Sequence, residues 1–268
     1  MINSIIQNIK KIILRYNLST LLLSKIYVIY NNVKKNNKIK IWKNDNYWIH
    51  LTSNGLIPYT HPLFDPEKYV TENFEIFFTY YSPKKNDVVL ELGSGIGNET
   101  LYISKLIGDG GKIYSVEPFD SIFKLLKKTI EINDLENVQL INKALYKENS
   151  YIGFSSEKEN WLGGKIDINS KDKIETLTLD GFVKENNIKK INFCKINIEG
   201  AEKYIIDDSE EFFKICDNLS IECHDFLKVE DYKTYELVKN FLIQKNYTIR
   251  NCKRIKNPAD EFFIFASK

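Results

Sequence analysis

Residues 88–100 read VVLELGSGIGNET. An apolar, β-branched run carries an acid at Glu91, and Gly93, Gly95 and Gly97 then alternate with other residues before a helix-like pattern begins at Asn98. A strand that turns through glycines into a helix brings backbone against a ligand in α/β folds. Working outward, the chain keeps alternating. Strands are expected over 87–92, 112–117, 138–142, 191–196 and 218–223. Helices are expected over 98–106, 120–133, 179–186, 202–214 and 229–245, from the spacing of apolar residues such as Ile122, Phe123, Leu126 and Ile130. Strands over 247–251 and 262–266 close the chain with no helix between them, so they must run antiparallel to each other. Such alternation implies a parallel sheet with helices on both faces.

Three ligands compete for the glycine loop. A nucleoside triphosphate needs Lys and Ser or Thr after the last glycine. Asn98 and Glu99 stand there instead, and a carboxylate in the first helical turn repels phosphate. A dinucleotide needs G-x-G-x-x-G, whereas the spacing here is G-x-G-x-G with Asn98 in the place of the third glycine. S-adenosylmethionine carries no phosphate. It asks for close backbone approach, an acid near the first strand end for its ammonium side, and an acid after the second strand for its ribose diol. Glu91 and Glu117 stand in those places. Glu117 alone would also suit a dinucleotide, but Glu91 opposes a pyrophosphate. Loop and acids together favour S-adenosylmethionine.

The chain has 268 residues, 43% hydrophobic and 28% charged, which suits a globular protein with a sizeable core. Its net charge of +2 carries no nucleic-acid footprint, but the charge is unevenly spread. Residues 1–44 hold nine Lys or Arg and no acid, a charge of +9, which leaves −7 on residues 45–268. This marks residues 1–60 as a basic, amphipathic helical extension ahead of a domain over 61–268. Apolar residues at helical spacing predict one or two helices in 1–35. These would pack on the domain, pair two copies as a homodimer, or rest residues 1–40 on an anionic membrane surface. No apolar run is long enough to span a bilayer, and no signal-peptide pattern is present. Residues 41–70, with Trp42, Trp48, His50, His61 and three prolines, read as irregular with a short hairpin, and 67–81 as a helix. The histidines there are expected to be structural. Cys194, Cys216, Cys223 and Cys252 show neither C-x-x-C nor zinc spacing and read as reduced thiols, which suits the cytoplasm.

Further stretches carry a resemblance. SVEPFDSIFKLLKKTIEIN (115–133), NKALYKENS (142–150) and ETLTLDGFVKENNIKKINFCKINIEGAEKYII (175–206), with the glycine loop, resemble the FkbM family of S-adenosylmethionine-dependent methyltransferases over roughly 66–226. The string from Lys195 to Glu202 is the most specific part. The resemblance implies an α/β class I (Rossmann-like) methyltransferase fold, a seven-stranded, mostly parallel sheet with an antiparallel last strand. It implies methyl transfer to a hydroxyl oxygen, often on a sugar or polyketide-like acceptor. By the family pattern Glu91, Gly93, Gly95, Asn98 and Glu117 would surround the cofactor, Ala144 would lie near adenine, and Glu72 would meet the methionine tail. One departure stands out: the family's K-I-D-x-E-G is K-I-N-I-E-G here, so Asn197 replaces an aspartate on the cofactor side.

A sugar hydroxyl is a poor nucleophile until its proton is removed, so the site needs a base or a metal. Candidates come from strand ends on the cofactor side. Lys195, Asn197 and Glu199 end one strand; Glu222, His224 and Asp225 end its neighbour. His224 is expected to be a general base, largely neutral at pH 7, with Glu222 orienting it or pairing with Lys195. Glu199 and Glu202 open a helix. Glu199, Glu222 and His224 with the Asn197 amide could hold a divalent metal, although no metal is favoured. Residues 149–173 read as a long polar loop, in which Trp161 could stack on a sugar ring. The acceptor is expected to be a small-molecule or glycan hydroxyl, such as one on a surface polysaccharide. A lipid-like or secondary-metabolite acceptor, or a protein that binds the cofactor without catalysis, are the alternatives.

Overall fold

The computed structural model describes residues 20–34, 40–62, 76–155, 165–166, 170–206, 209–230, 233–253 and 255–268. The chain divides into two compact units, Met1–Val70 and Thr71–Lys268.

The first unit contains helix α1 (Thr20–Lys34) and three strands, β1 (Lys40–Asn44), β2 (Tyr47–Thr52) and β3 (Gly55–Tyr59). The strands form an antiparallel meander in the order β1-β2-β3. Asp45 takes a left-handed φ of 51° at the first turn. At the second, the Thr52 hydroxyl donates to Gly55 O at 2.8 Å and accepts from Asn54 N at 3.2 Å. The short hairpin expected here is present and extends to three strands, which corrects the expectation of otherwise irregular chain. Burial does not alternate along β2, where Trp48, Ile49 and His50 are all buried, so the strand lacks the period-two signature.

The second unit is built on a seven-stranded sheet. Its strands are β4 (Val88–Leu92), β5 (Lys112–Val116), β6 (Val138–Ile141), β11 (Phe193–Ile196), β12 (Asn218–Glu222), β13 (Thr248–Arg250) and β14 (Phe263–Ser267). They lie in the order β13-β14-β12-β11-β4-β5-β6. All run parallel except β14, which is antiparallel to both β12 and β13, as expected. Side chains alternate across the strands. Leu90, Leu92, Val116, Cys194, Ile196, Leu219 and Ile221 share one core with Phe182, Phe212 and Leu242. These come from α4 (Leu179–Glu185), α5 (Glu210–Ile215) and α6 (Tyr235–Gln244). The opposite face packs Val89, Ile113 and Phe193 with Ile103 and Ile107 of α2 (Asn98–Ile107). Helix α3 (Asp120–Ile132) connects β5 to β6.

Three expectations change in this unit. Residues 149–173 are not one irregular loop, because β8 (Ser150–Ser155) pairs antiparallel with β10 (Lys173–Leu177). With β7 (Ala144–Leu145) and β9 (Lys165–Ile166) they form a second sheet, ordered β7-β10-β8-β9. Its register rests on side chains far apart in sequence: Asn149 Oδ1 accepts from Thr178 N, and Thr176 Oγ1 accepts from Ser150 N. The helix expected over 202–214 shrinks to α5. Glu199 and Gly200 take left-handed φ values of 55° and 92°, and the chain then turns rather than coils. The helix expected from 229 starts only at Tyr235, where Asp225 Oδ2 accepts from Thr234 N and Tyr235 N at its first turn. The helix expected over 67–81 lies mostly outside the described residues, as does most of 1–35. Cys194, Cys216 and Cys223 are buried and form no disulfide.

Candidate active site at the carboxyl edge of the sheet

The glycine loop leaves β4 and is held by its neighbours. Gly93 N and Ser94 N both donate to Val116 O, and Gly95 N donates to Glu117 Oε2 at 3.0 Å. The other oxygen of Glu117 accepts from Phe119 N at 3.0 Å. Glu117 thus clamps the loop to the end of β5. Burial pushes its carboxyl up to about 7, against the two backbone donors. Gly93 sits at φ +77°, and a Cβ there would lie 1.8 Å from the Asn197 carbonyl oxygen, so two backbones touch where β4 and β11 end. Asn197 N completes the junction by donating to Leu92 O at 3.0 Å.

Beneath the loop lies a buried polar network. Glu91 is fully buried and its Oε2 accepts from Thr100 Oγ1 at 2.6 Å and Ser115 Oγ at 3.3 Å. Lys195 Nζ donates to Gly93 O at 2.9 Å and stands 3.7 Å from Glu91 Oε1. Burial alone would lower the Lys195 ammonium, but Glu99, Glu91, Glu222 and Glu117 outweigh it and hold the group above its ordinary value. Burial pushes Glu91 upward, against the pull of Lys195. Lys195 therefore faces Glu91 and the loop carbonyl. Thr100 and Ser115 were not singled out from sequence. Thr100 follows the loop directly, and the spacing of two residues from Glu91 to Gly93 puts the acid and the helix start side by side only once the turn is made.

A second cluster sits where β11 and β12 end. His224 lies between two carboxylates: Nδ1 is 3.0 Å from Glu202 Oε1 and Nε2 is 3.4 Å from Glu199 Oε2. Glu202 Oε1 also accepts from Gly200 N at 3.2 Å, and its Oε2 accepts from Thr234 Oγ1 at 3.3 Å. Burial alone would lower the imidazole, but hydrogen bonds to Glu199 and Glu202 overcome it and carry the pKa up to about 10. Both imidazole nitrogens thus face carboxylates, an arrangement that favours the protonated ring over the neutral one expected for a general base. Glu222, half-buried, is pushed up to about 7, first by burial and then by Glu199, against His224. The proposed metal set is likewise not assembled. Among the described residues no group of three or more His, Cys, Asp or Glu side chains has a metal-holding arrangement.

Three acceptor atoms at this edge are buried without a hydrogen-bond partner: Glu91 Oε1, Asn98 Oδ1 and Asn197 Oδ1. Asn98 opens α2 and Asn197 follows β11, so all three belong to the junction around the loop. Ala144 is buried in β7, just after Asn142, whose amide donates to Glu117 O at 2.9 Å. Glu72 and Trp161 lie outside the described residues.

The sequence model of the methyltransferase FkbM domain matches residues 87–249. The chain belongs to the FkbM methyltransferase family. The matched span contains every described site residue above. Among curated proteins none matches. Solved structures similar to this FkbM-family chain include a SAM-dependent methyltransferase from Aquifex aeolicus, at 16% identity and a TM-score of 0.42, covering 76% of this chain and 97% of that one. Aeropyrum pernix fibrillarin, solved with natively bound S-adenosyl-L-methionine, is 12% identical with a TM-score of 0.45, covering 85% and 97%. Precorrin-6y C5,15-methyltransferase from Geobacter metallireducens is 12% identical with a TM-score of 0.41, covering 69% and 82%.

Proposed function

We propose that this FkbM-family methyltransferase takes its methyl group from S-adenosylmethionine and delivers it to a hydroxyl oxygen, with a sugar of a surface polysaccharide or glycoconjugate as acceptor. The observation that carries the cofactor reading is the pair of unsatisfied amide acceptors, Asn98 Oδ1 and Asn197 Oδ1, beside Glu91 Oε1, which makes no hydrogen bond and has only the Lys195 ammonium at 3.7 Å. A buried acceptor without a donor costs about 1–3 kcal/mol. Acceptors gathered in this way call for a ligand that brings donors and positive charge. An ammonium, a sulfonium and ribose hydroxyls do so; a pyrophosphate, which carries only acceptors and negative charge, does not. Gly93 and Gly95 would admit the cofactor to the backbone, Glu117 would add ribose hydroxyls to the two N–H groups it already binds, and Ala144 would lie beside the adenine.

When bound, S-adenosylmethionine supplies a methyl group on a positively charged sulfur. The chain must position the acceptor and remove its proton as the new C–O bond forms. A base works best with a pKa near the working pH; burial pushes Glu91, Glu117 and Glu222 all up to about 7, and of the three Glu222 lies outside the glycine-loop network, at the end of β12. In this reading Glu222 receives the hydroxyl proton. The His224 imidazolium holds Glu199 on one side and is held by Glu202 on the other, so His224 is a positioning residue. Lys195 fixes the loop through Gly93 O.

Thermal unfolding with excess S-adenosylhomocysteine, against NADH, tests the cofactor. A ligand at a hundred times its dissociation constant adds about 2.7 kcal/mol, a rise of several degrees for a unit of this size. A rise with NADH alone would overturn the reading. Transfer of a labelled methyl to glycan acceptors tests the chemistry: a methyl ether on a hydroxyl survives mild alkali, whereas a methyl ester on a carboxylate does not.

A further inference from the structure

Helix α1 carries its apolar stripe on the outside. Leu22, Ile26, Ile29 and Val33 fall at i, i+4, i+7 and i+11 and so share one face. They are 63%, 51%, 62% and 80% exposed. Ser24, two residues from Leu22 and so turned about 200° away, is only 3% exposed. Tyr27 and Val28, on the side of Ser24, are half-buried, so α1 is apolar on both sides and leaves one apolar side exposed. In the same unit Trp42 is also exposed.

Charge narrows what such a face fits. The surrounding segment, residues 1–44, has nine cations and no acid. A partner must offer apolar area and negative charge together. A second copy of this chain offers the apolar area but brings another +9, so the two segments repel. An anionic bilayer offers both. No helix among the described residues is long and apolar enough to cross a membrane.

We propose that α1 lies on an anionic membrane surface, its Leu22–Ile26–Ile29–Val33 face in the acyl boundary and the lysines that flank it at headgroup level. Lys25, beside that face, and Lys40 and Lys43 of β1 are exposed. Each cation near such a surface strengthens partitioning about fivefold, and the contribution falls away with salt.

The test is co-sedimentation of the full chain with phosphatidylcholine vesicles, with and without phosphatidylserine, at low and high salt. The expected result is at least about tenfold more partitioning onto the anionic vesicles, lost at high salt. I29E/V33E should cut it at least about tenfold, because each side chain forfeits its apolar transfer. K25Q/K40Q/K43Q, which leaves the apolar face intact, should also weaken binding at least about tenfold. Equal partitioning onto both compositions would overturn the proposal. So would absence from vesicles together with a dimer, by light scattering, that I29E/V33E converts to a monomer; the face would then belong to a second copy.

Discussion

Replacing His224 with Gln removes the one cation that sits between Glu199 and Glu202 while keeping a polar side chain of similar reach. Two routes give the size of the effect. The imidazole is raised from 6.5 to about 10 in the folded chain, a gap of roughly 3.5 units. At 1.36 kcal/mol per unit this is a ceiling of about 5 kcal/mol. Breaking a buried pair by deleting one partner costs about 3–5 kcal/mol in general. We therefore expect H224Q to lose about 3–5 kcal/mol at pH 6, a fall of about 10 °C in midpoint for a unit of this size. The sign with pH follows from the raised value. The His224 contribution is present in full below the unfolded pKa of 6.5 and is lost as pH rises through about 10. The gap between wild type and H224Q should thus narrow steadily between pH 6.5 and 10. Urea unfolding followed by circular dichroism measures it. Tryptophan fluorescence would serve less well, since two of the three tryptophans, Trp42 and Trp48, lie in the first unit. A variant within about 1 kcal/mol of wild type at pH 6, or a gap that stays constant up to pH 10, would refute the charge clamp.

Two further outcomes follow from the same geometry. Gly93→Ala places a Cβ 1.8 Å from the Asn197 carbonyl oxygen at φ +77°. The neighbour is backbone and cannot swing aside, so the variant should lose about 2–5 kcal/mol of stability and its thermal response to S-adenosylhomocysteine; a full response would show that the loop does not touch the ligand. Glu222→Gln tests the base. Wild-type kcat/KM should climb about tenfold per pH unit below 7 and level off above it, because the carboxylate must be ionised to accept a proton. The variant should lose that limb and run about 10²–10⁴-fold slower at the plateau, and an unchanged profile would move the base elsewhere.

The order of strands and helices in the second unit was legible because each element carries its own local signal. The glycine loop, the apolar runs at β4, β5, β11 and β12, and the helical spacing of α3 all depend on neighbours a few residues away. The family string from Lys195 to Glu202 marked the end of β11. Local signals failed where a long-range contact decides. The β7-β10-β8-β9 sheet is set by Asn149 meeting Thr178 and Ser150 meeting Thr176, each pair more than twenty residues apart. The shortening of the helix after Glu202 comes from left-handed backbone at Glu199 and Gly200, which composition does not announce.

The candidate site divides along the same line. Sequence placed Glu91, Gly93, Lys195, Glu199, Glu222 and His224 at strand ends, since the end of a strand is a local property. It could not assign their charge states. Whether His224 is neutral or cationic depends on Glu202, Glu199 and the desolvation around all three, and those terms exist only after β11 and β12 lie side by side. In the same way, sequence supplied nine N-terminal cations and an apolar repeat, but only the folded first unit, by burying Ser24, decided that the apolar face of α1 points outward.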